Sequence, residues 1–233
     1  MNVIRKILTG CGCIDNSLDG GISQESITLI YGEAETGKST LAMQCAVNAA
    51  MQNLKVLYMD CDGTFSAKRL SQVSSGKFDE IAELIVLVKP KDFIEQTAFI
   101  DRLMEYIVNN VGLVVFDTIT SLYRLKVAEA SGKAFGLNRE LNRQLAIVAQ
   151  TAKIKKVPML VVSQVRSVLD EPEVAVEPVG TRVLKFWADT IIAMKPTESA
   201  QTVKAVVEKP AKDSEVTCYL RIDLSGIHDS SHY

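Results

Sequence analysis

The chain has 233 residues, 47% of them apolar, with 26 basic against 28 acidic side chains and a formal net charge of −2. That apolar content supports a substantial core, expected as one domain over residues 1–233, and the balance of charge provides no basic field of the kind that gathers nucleic acid. Neither an apolar run of about eighteen residues nor a charged-then-apolar leader occurs, so a soluble, cytoplasmic protein with no membrane partner is expected.

In chain order, β-rich apolar runs predict strands over residues 26–31, 55–59, 84–88, 113–116, 158–162 and 190–194. Helical patterns lie among them at 39–51, 66–74, 92–108 and 137–154. This alternation predicts an α/β fold with a mostly parallel twisted sheet and helices on both faces, because continuous apolar strands need cover on both sides. Runs at 202–208 and 216–223 flank the polar turn KPAKDSE and predict a C-terminal antiparallel hairpin. Residues 126–136 and 166–180, rich in Gly, Pro and charge, read as mobile surface segments. Five cysteines (Cys11, Cys13, Cys45, Cys61, Cys218) are odd in number and lack paired CxxC spacing, and the two histidines, His228 and His232, lie in the tail. Neither a zinc site nor a disulfide framework is expected, and most of the cysteines read as small buried apolar residues.

After the first predicted strand comes GEAETGKST, residues 32–40. The spacing of Gly32 and Gly37-Lys38-Ser39 is that of a phosphate-cradling loop, here Gly32, Glu33, Ala34, Glu35, Thr36, Gly37, Lys38, Ser39 and Thr40. The glycines let backbone N–H groups converge on phosphate oxygens, Lys38 adds charge, and the Ser39 hydroxyl can ligate Mg²⁺. A helix beginning near Gly37 brings its positive end to the phosphates. Asp117, at the end of the apolar run 113–116, is the matching acid for the metal's water shell, since ligands of open α/β sheets bind outside the carboxyl ends of the strands. LYMDCDGTF offers Asp60 and Asp62 for activating water, and Gln164, at the end of another strand, is placed to sense a γ-phosphate. A nucleotide with Mg²⁺ is therefore the expected ligand, with Lys38, Asp62 and Gln164 in catalytic roles.

These pieces, together with LTGCGCIDNSLDGGI, DGTFSAKRL, LVVFDTITSLYR, LNRQLAIVAQTAKIKKVPMLVVSQV and PVGTRVLKFWADTII, resemble the RecA-type recombinase ATPases and, among them, the archaeal RadB-like paralogs. The resemblance runs from about residue 8 to residue 227 and implies ATP-dependent service in homologous recombination or DNA repair. It implies that Asp62 stands where such proteins usually have Glu, that Gln164 is the γ-phosphate sensor, and that Arg69 lies near the adenine. For Lys209 two readings stand: a cation for a neighbouring subunit's phosphates, or a solvated turn lysine.

Three departures qualify the resemblance. Asp62 is one methylene shorter than Glu, so slow hydrolysis is expected. Few residues precede the core, where full-length recombinases of this type carry a helical DNA-binding module and a linker with an apolar hook; a mediator beside a complete recombinase is expected rather than a long filament. Residues 124–143 hold Arg124, Lys126, Lys133, Arg139 and Arg143 against Glu129 and Glu140, whereas residues 166–180 hold Arg166 against Asp170, Glu171, Glu173 and Glu177. Weak single-stranded DNA binding is expected from the first segment, because the acidic second one repels phosphates and is free to face a protein. Trp187 reads as part of a helix face packed on the sheet rather than a base-stacking residue. The competing function is a KaiC-like regulatory ATPase that acts on proteins without DNA. A metabolic kinase would need an acceptor pocket, for which the sequence offers no segment.

Overall fold

The computed structural model describes residues 6–129, 134–165, 179–210 and 216–230. The strands are β1 (Ile27–Gly32), β2 (Lys55–Asp60), β3 (Ile85–Val88), β4 (Val111–Asp117), β5 (Met159–Gln164), β6 (Thr190–Pro196), β7 (Thr202–Lys209), β8 (Val216–Asp223) and β9 (Gly226–Asp229). The helices are α1 (Gly12–Ser17), α2 (Lys38–Met51), α3 (Ala67–Val73), α4 (Phe78–Ala82), α5 (Phe93–Asp101), α6 (Leu103–Tyr106), α7 (Ser121–Glu129), α8 (Ala134–Lys155) and α9 (Val179–Trp187).

Among the described residues, nine strands form one sheet in the order β3-β2-β4-β5-β1-β6-β7-β8-β9. The first six in that order are mutually parallel, and β7, β8 and β9 continue the sheet antiparallel. Alternate residues of the parallel strands serve opposite faces, as the two-residue period of a strand demands. On one face Ile30, Tyr58, Val115 and Val162 pack with Leu41, Cys45 and Ala49 of α2. On the other Leu29, Met59, Phe116 and Val161 meet Phe93, Leu141, Leu145 and Leu184 of α5, α8 and α9. Each such buried Leu, Ile or Phe contributes about 1.5–3 kcal/mol, so the sheet's carboxyl edge is held firmly enough to position loops.

Several predicted elements differ in extent. The helix expected over 92–108 divides at Arg102 into α5 and α6. The segment expected to be mobile over 126–136 is helical on both flanks, in α7 to Glu129 and in α8 from Ala134, with 130–133 outside the described residues. Gly136 and the small residues around it mask the start of α8, because Gly costs a helix about 1 kcal/mol. The hairpin has a third strand, β9, only four residues long. Most of the segment at 166–180 lies outside the described residues.

The cysteine expectation needs correcting. Cys13 of α1 and Cys218 of β8 form a disulfide with Cα atoms 5.8 Å apart, at a sequence separation of 205. Local spacing cannot reveal such a pair, because it depends on the far end of the sheet folding back to α1. Cys11, Cys45 and Cys61 are free and buried, as read.

Candidate nucleotide site

The register of the sheet assembles the site. Gly32 at the end of β1 is paired with Gln164 at the end of β5, and Asp117 at the end of β4 lies beside Asp60 of β2. Two short loops and the start of α2 therefore share one edge. Gly32 has φ 159°, and a Cβ there would come within 2.0 Å of the Met194 carbonyl oxygen. Gly37, with φ 81°, caps α2 in the left-handed conformation that Gly tolerates best. The loop consequently turns tightly at the positive end of a 14-residue helix, as a phosphate cradle requires.

Lys38 is only 6% exposed. Its Nζ donates to the Glu33 carbonyl and to Thr36 Oγ1, which fixes the ammonium over the loop. Burial pulls its pKa down to about 8, against the attraction of Asp117, Asp62 and Glu33. The Ser39 hydroxyl donates to Asp117 Oδ1 at 3.0 Å, and the buried Tyr58 hydroxyl donates to Asp117 Oδ2 at 2.7 Å. Burial raises Asp117 to about 6 in spite of those two hydrogen bonds. A carboxylate and a hydroxyl in contact form a hard, oxygen-only donor set beside a fixed ammonium. The residues present thus fit Mg²⁺ and a polyphosphate.

The two acids of LYMDCDGTF separate clearly. Asp60 is buried and accepts from the Thr64 and Phe65 backbone N–H groups at 3.0 Å each, so it shapes the loop. Asp62 lies on that loop at the cleft and accepts from Thr118 Oγ1 at 3.0 Å. Arg124 does not project freely from its segment, since Nη1 donates to the Gln164 carbonyl at 3.2 Å.

A cleft of about 470 Å³ is lined by Ala34, Glu35, Gly37, Lys38, Ser39, Thr40, Asp62, Arg69 and Gln164 among the expected residues. Gly32, Glu33, Thr36 and Asp117 are outside that lining, the first three in the loop and Asp117 in contact with Ser39. Met43, Thr64, Thr118 and Ile222 also line it and were not foreseen. Ile222 in particular comes from β8, and only the sheet topology brings it there. Arg69 donates to the Asp223 and Leu224 carbonyls at 2.9 and 2.7 Å, which ties the β8–β9 turn to the rim. Lys209 Nζ donates to the Ala188 carbonyl within the same chain, so neither a freely solvated nor a projecting side chain describes it. Trp187 packs partly against the core, and its Nε1 donates to Asn142 Oδ1 at 2.8 Å, in keeping with a packed helix face.

The Rad51 family profile matches residues 1–230. The chain is similar to the DNA repair and recombination protein RadB of Methanococcus maripaludis, 30% identical over 202 residues covering 87% of this chain and 91% of that protein. RadB of Methanobrevibacter smithii is 34% identical over 195 residues, 82% of this chain and 81% of that one. A solved crystal structure of the RadB recombinase superposes with a TM-score of 0.79 at 30% identity, covering 97% of this chain and 100% of the other. With a family profile spanning nearly its whole length and relatives at 30% and 34% identity over most of both chains, the chain belongs to the Rad51 family.

Proposed function

We propose that the protein binds ATP with Mg²⁺ in this cleft and serves DNA repair and homologous recombination as a RadB-like paralog that hydrolyses the nucleotide slowly. The observation that carries this reading is the contact of Ser39 with Asp117 at the foot of the phosphate loop, beside the buried Lys38. Ser39 and Asp117 would hold Mg²⁺, which supplies charge neutralisation at the β- and γ-phosphates. The loop N–H groups and Lys38 bind and orient the phosphates. Asp62 accepts a proton from the attacking water, and Gln164 orients that water; its oxygen bonds to the γ-phosphorus as the bond to the ADP oxygen breaks. Membership of the Rad51 family favours this reading over a KaiC-like regulator that ignores DNA.

Two partner readings go with it. Single-stranded DNA engages the segment 124–143 weakly, because part of its charge is already used: Lys126 pairs with Glu129 and Arg143 with Asp101 and Glu140. A full-length recombinase docks at edge strand β3, where Val86 and Leu87 are exposed beside a pocket of about 280 Å³ lined by Val88, Phe99 and Tyr106. The test is anisotropy of a labelled single strand with and without Mg-ATP at two salt concentrations, alongside calorimetry of Mg-ATP binding. We expect saturable nucleotide binding and salt-sensitive, ATP-dependent strand binding. Nucleotide binding without any strand binding would transfer the function to protein partners, and absence of nucleotide binding would overturn the site.

A further inference from the structure

We infer that Thr118 is a positioning residue for Asp62, and that the buried turn 118–121 ties Asp62 and Gln164 to one support. The inference rests on the reading of Asp62 as the group that activates water.

Asp62 has a positioning problem. It sits on an exposed loop two residues beyond β2, next to Gly63, and its side chain is short. A general base must lie within hydrogen-bond reach of its water, and misplacement by about 1 Å can cost about a hundredfold in rate. The loop is aimed from below by Cys61 N donating to the Asp117 carbonyl at 2.8 Å. At the carboxylate itself, Thr118 Oγ1 holds Oδ2 at 3.0 Å, which leaves Oδ1 for another partner. Thr118 is 3% exposed and borders the same cleft, so its hydroxyl is a fixed point where the Asp62 loop is not.

The proton count gives this contact a direction. Thr118 Oγ1 also meets the Ser121 hydroxyl. A hydroxyl has one proton and an ionised carboxylate can only accept. Thr118 therefore donates to Asp62, and Ser121 must donate to Thr118. Both protons point toward the carboxylate, an arrangement that strengthens a charged acceptor.

The turn is anchored on two further sides. Ile119 N donates to the Val162 carbonyl at 3.2 Å, and the Ile119 carbonyl accepts from Gln96 Nε2 at 3.1 Å. Gln96 is in turn held by Gln144 of α8 at 2.8 Å, with both side chains buried. Thr120 Oγ1 lies 3.1 Å from Ser163 Oγ, and Ser163 immediately precedes Gln164. One turn thus supports the water-activating acid through Thr118 and the strand end carrying Gln164 through Thr120.

The experiment is single-turnover ATP hydrolysis, with nucleotide affinity and melting measured separately, for the wild type, Thr118→Val, Thr118→Ser and Asp62→Ala. We expect Thr118→Val to slow hydrolysis about tenfold with nucleotide affinity held within about twofold, because only the transition state needs the aimed carboxylate. Thr118→Ser restores the hydroxyl and the rate. Thr118→Val combined with Asp62→Ala should be no slower than Asp62→Ala alone, since the threonine acts only through the acid. A wild-type rate in Thr118→Val while Asp62→Ala is slow would overturn the inference. So would a loss of rate, affinity and melting temperature together that serine fails to rescue, which marks a purely structural role. If Asp62→Ala hydrolyses like the wild type, or the wild type does not hydrolyse, the reading of Asp62 falls and the inference with it.

Discussion

Lys38 and Asp117 are both displaced toward their neutral forms, and for both the largest cause is burial. Their charged states at neutral pH therefore work against the ligand-free fold, a cost that polyphosphate and metal would offset in the proposed complex. For Lys38 the sign is explicit. Its folded pKa of about 8 lies below the ordinary 10.5, so between those values the unfolded chain holds the extra proton and stability rises with pH. Below about 8 the full cost stands. We predict that Lys38→Met stabilises the ligand-free protein at pH 7 by on the order of 1–3 kcal/mol. The gap should close as pH rises from about 8 toward 10.5, and Mg-ATP should no longer raise the melting temperature of the variant. Urea denaturation of both proteins across that range reads the gap directly, and a gap independent of pH would refute the assignment.

At the scale of elements, the contact between α1 and β8 is covalent as well as packed. The Gly12 and Cys13 N–H groups donate to the Asp229 carboxylate at 2.7 and 3.1 Å, and the Cys13–Cys218 bridge lies beside them. A bridge closing so long a loop removes much conformational freedom from the unfolded chain, and we predict that Cys218→Ser lowers stability by about 2–4 kcal/mol under oxidising conditions. A dithiol reductant should bring the wild type down to the variant's level and leave the variant unchanged; equal stability of both proteins without reductant would show that the bridge does not form. This contact also shows where the sequence stops being readable. β1, α2, β4 and β5 were legible because each combines a local apolar period with a punctuating Gly, Asp or Pro, and the residues ending those strands line or flank the candidate site. The disulfide and Ile222 in the cleft were not, because each depends on antiparallel strands folding back over about two hundred residues of chain, and the third hairpin strand was missed because it is only four residues long. Thr118 escaped notice for a different reason: a threonine after an acid has no chemical signature until its hydroxyl is seen to face Asp62.

Across the whole molecule, a nine-stranded sheet has two edges, and they are treated differently. At β9 the edge strand is short, and its Asp229 is occupied by α1. At β3 the edge is apolar and open, with Val86 46% and Leu87 37% exposed, one on each face of the sheet. An uncovered apolar edge invites an added strand, with backbone hydrogen bonds giving affinity and side-chain pockets giving choice. The adjoining pocket has one aromatic wall, formed by Phe99 stacked on Tyr106 with centroids 4.7 Å apart, and Arg102 lies over the tyrosine ring. That combination suits an extended segment carrying an apolar side chain, as the hook of a full-length recombinase would. Charge at this edge should exclude such a segment without disturbing the nucleotide cleft at the carboxyl ends of β1, β4 and β5. We predict that Val86→Asp together with Leu87→Asp weakens binding to a full-length recombinase at least about tenfold, the equivalent of losing one good apolar contact. Mg-ATP affinity, measured on the same preparation, should stay at the wild-type value. Calorimetric titration of the recombinase into both proteins decides it: undiminished binding by the double variant would move the recombinase off this edge and onto another face of the molecule.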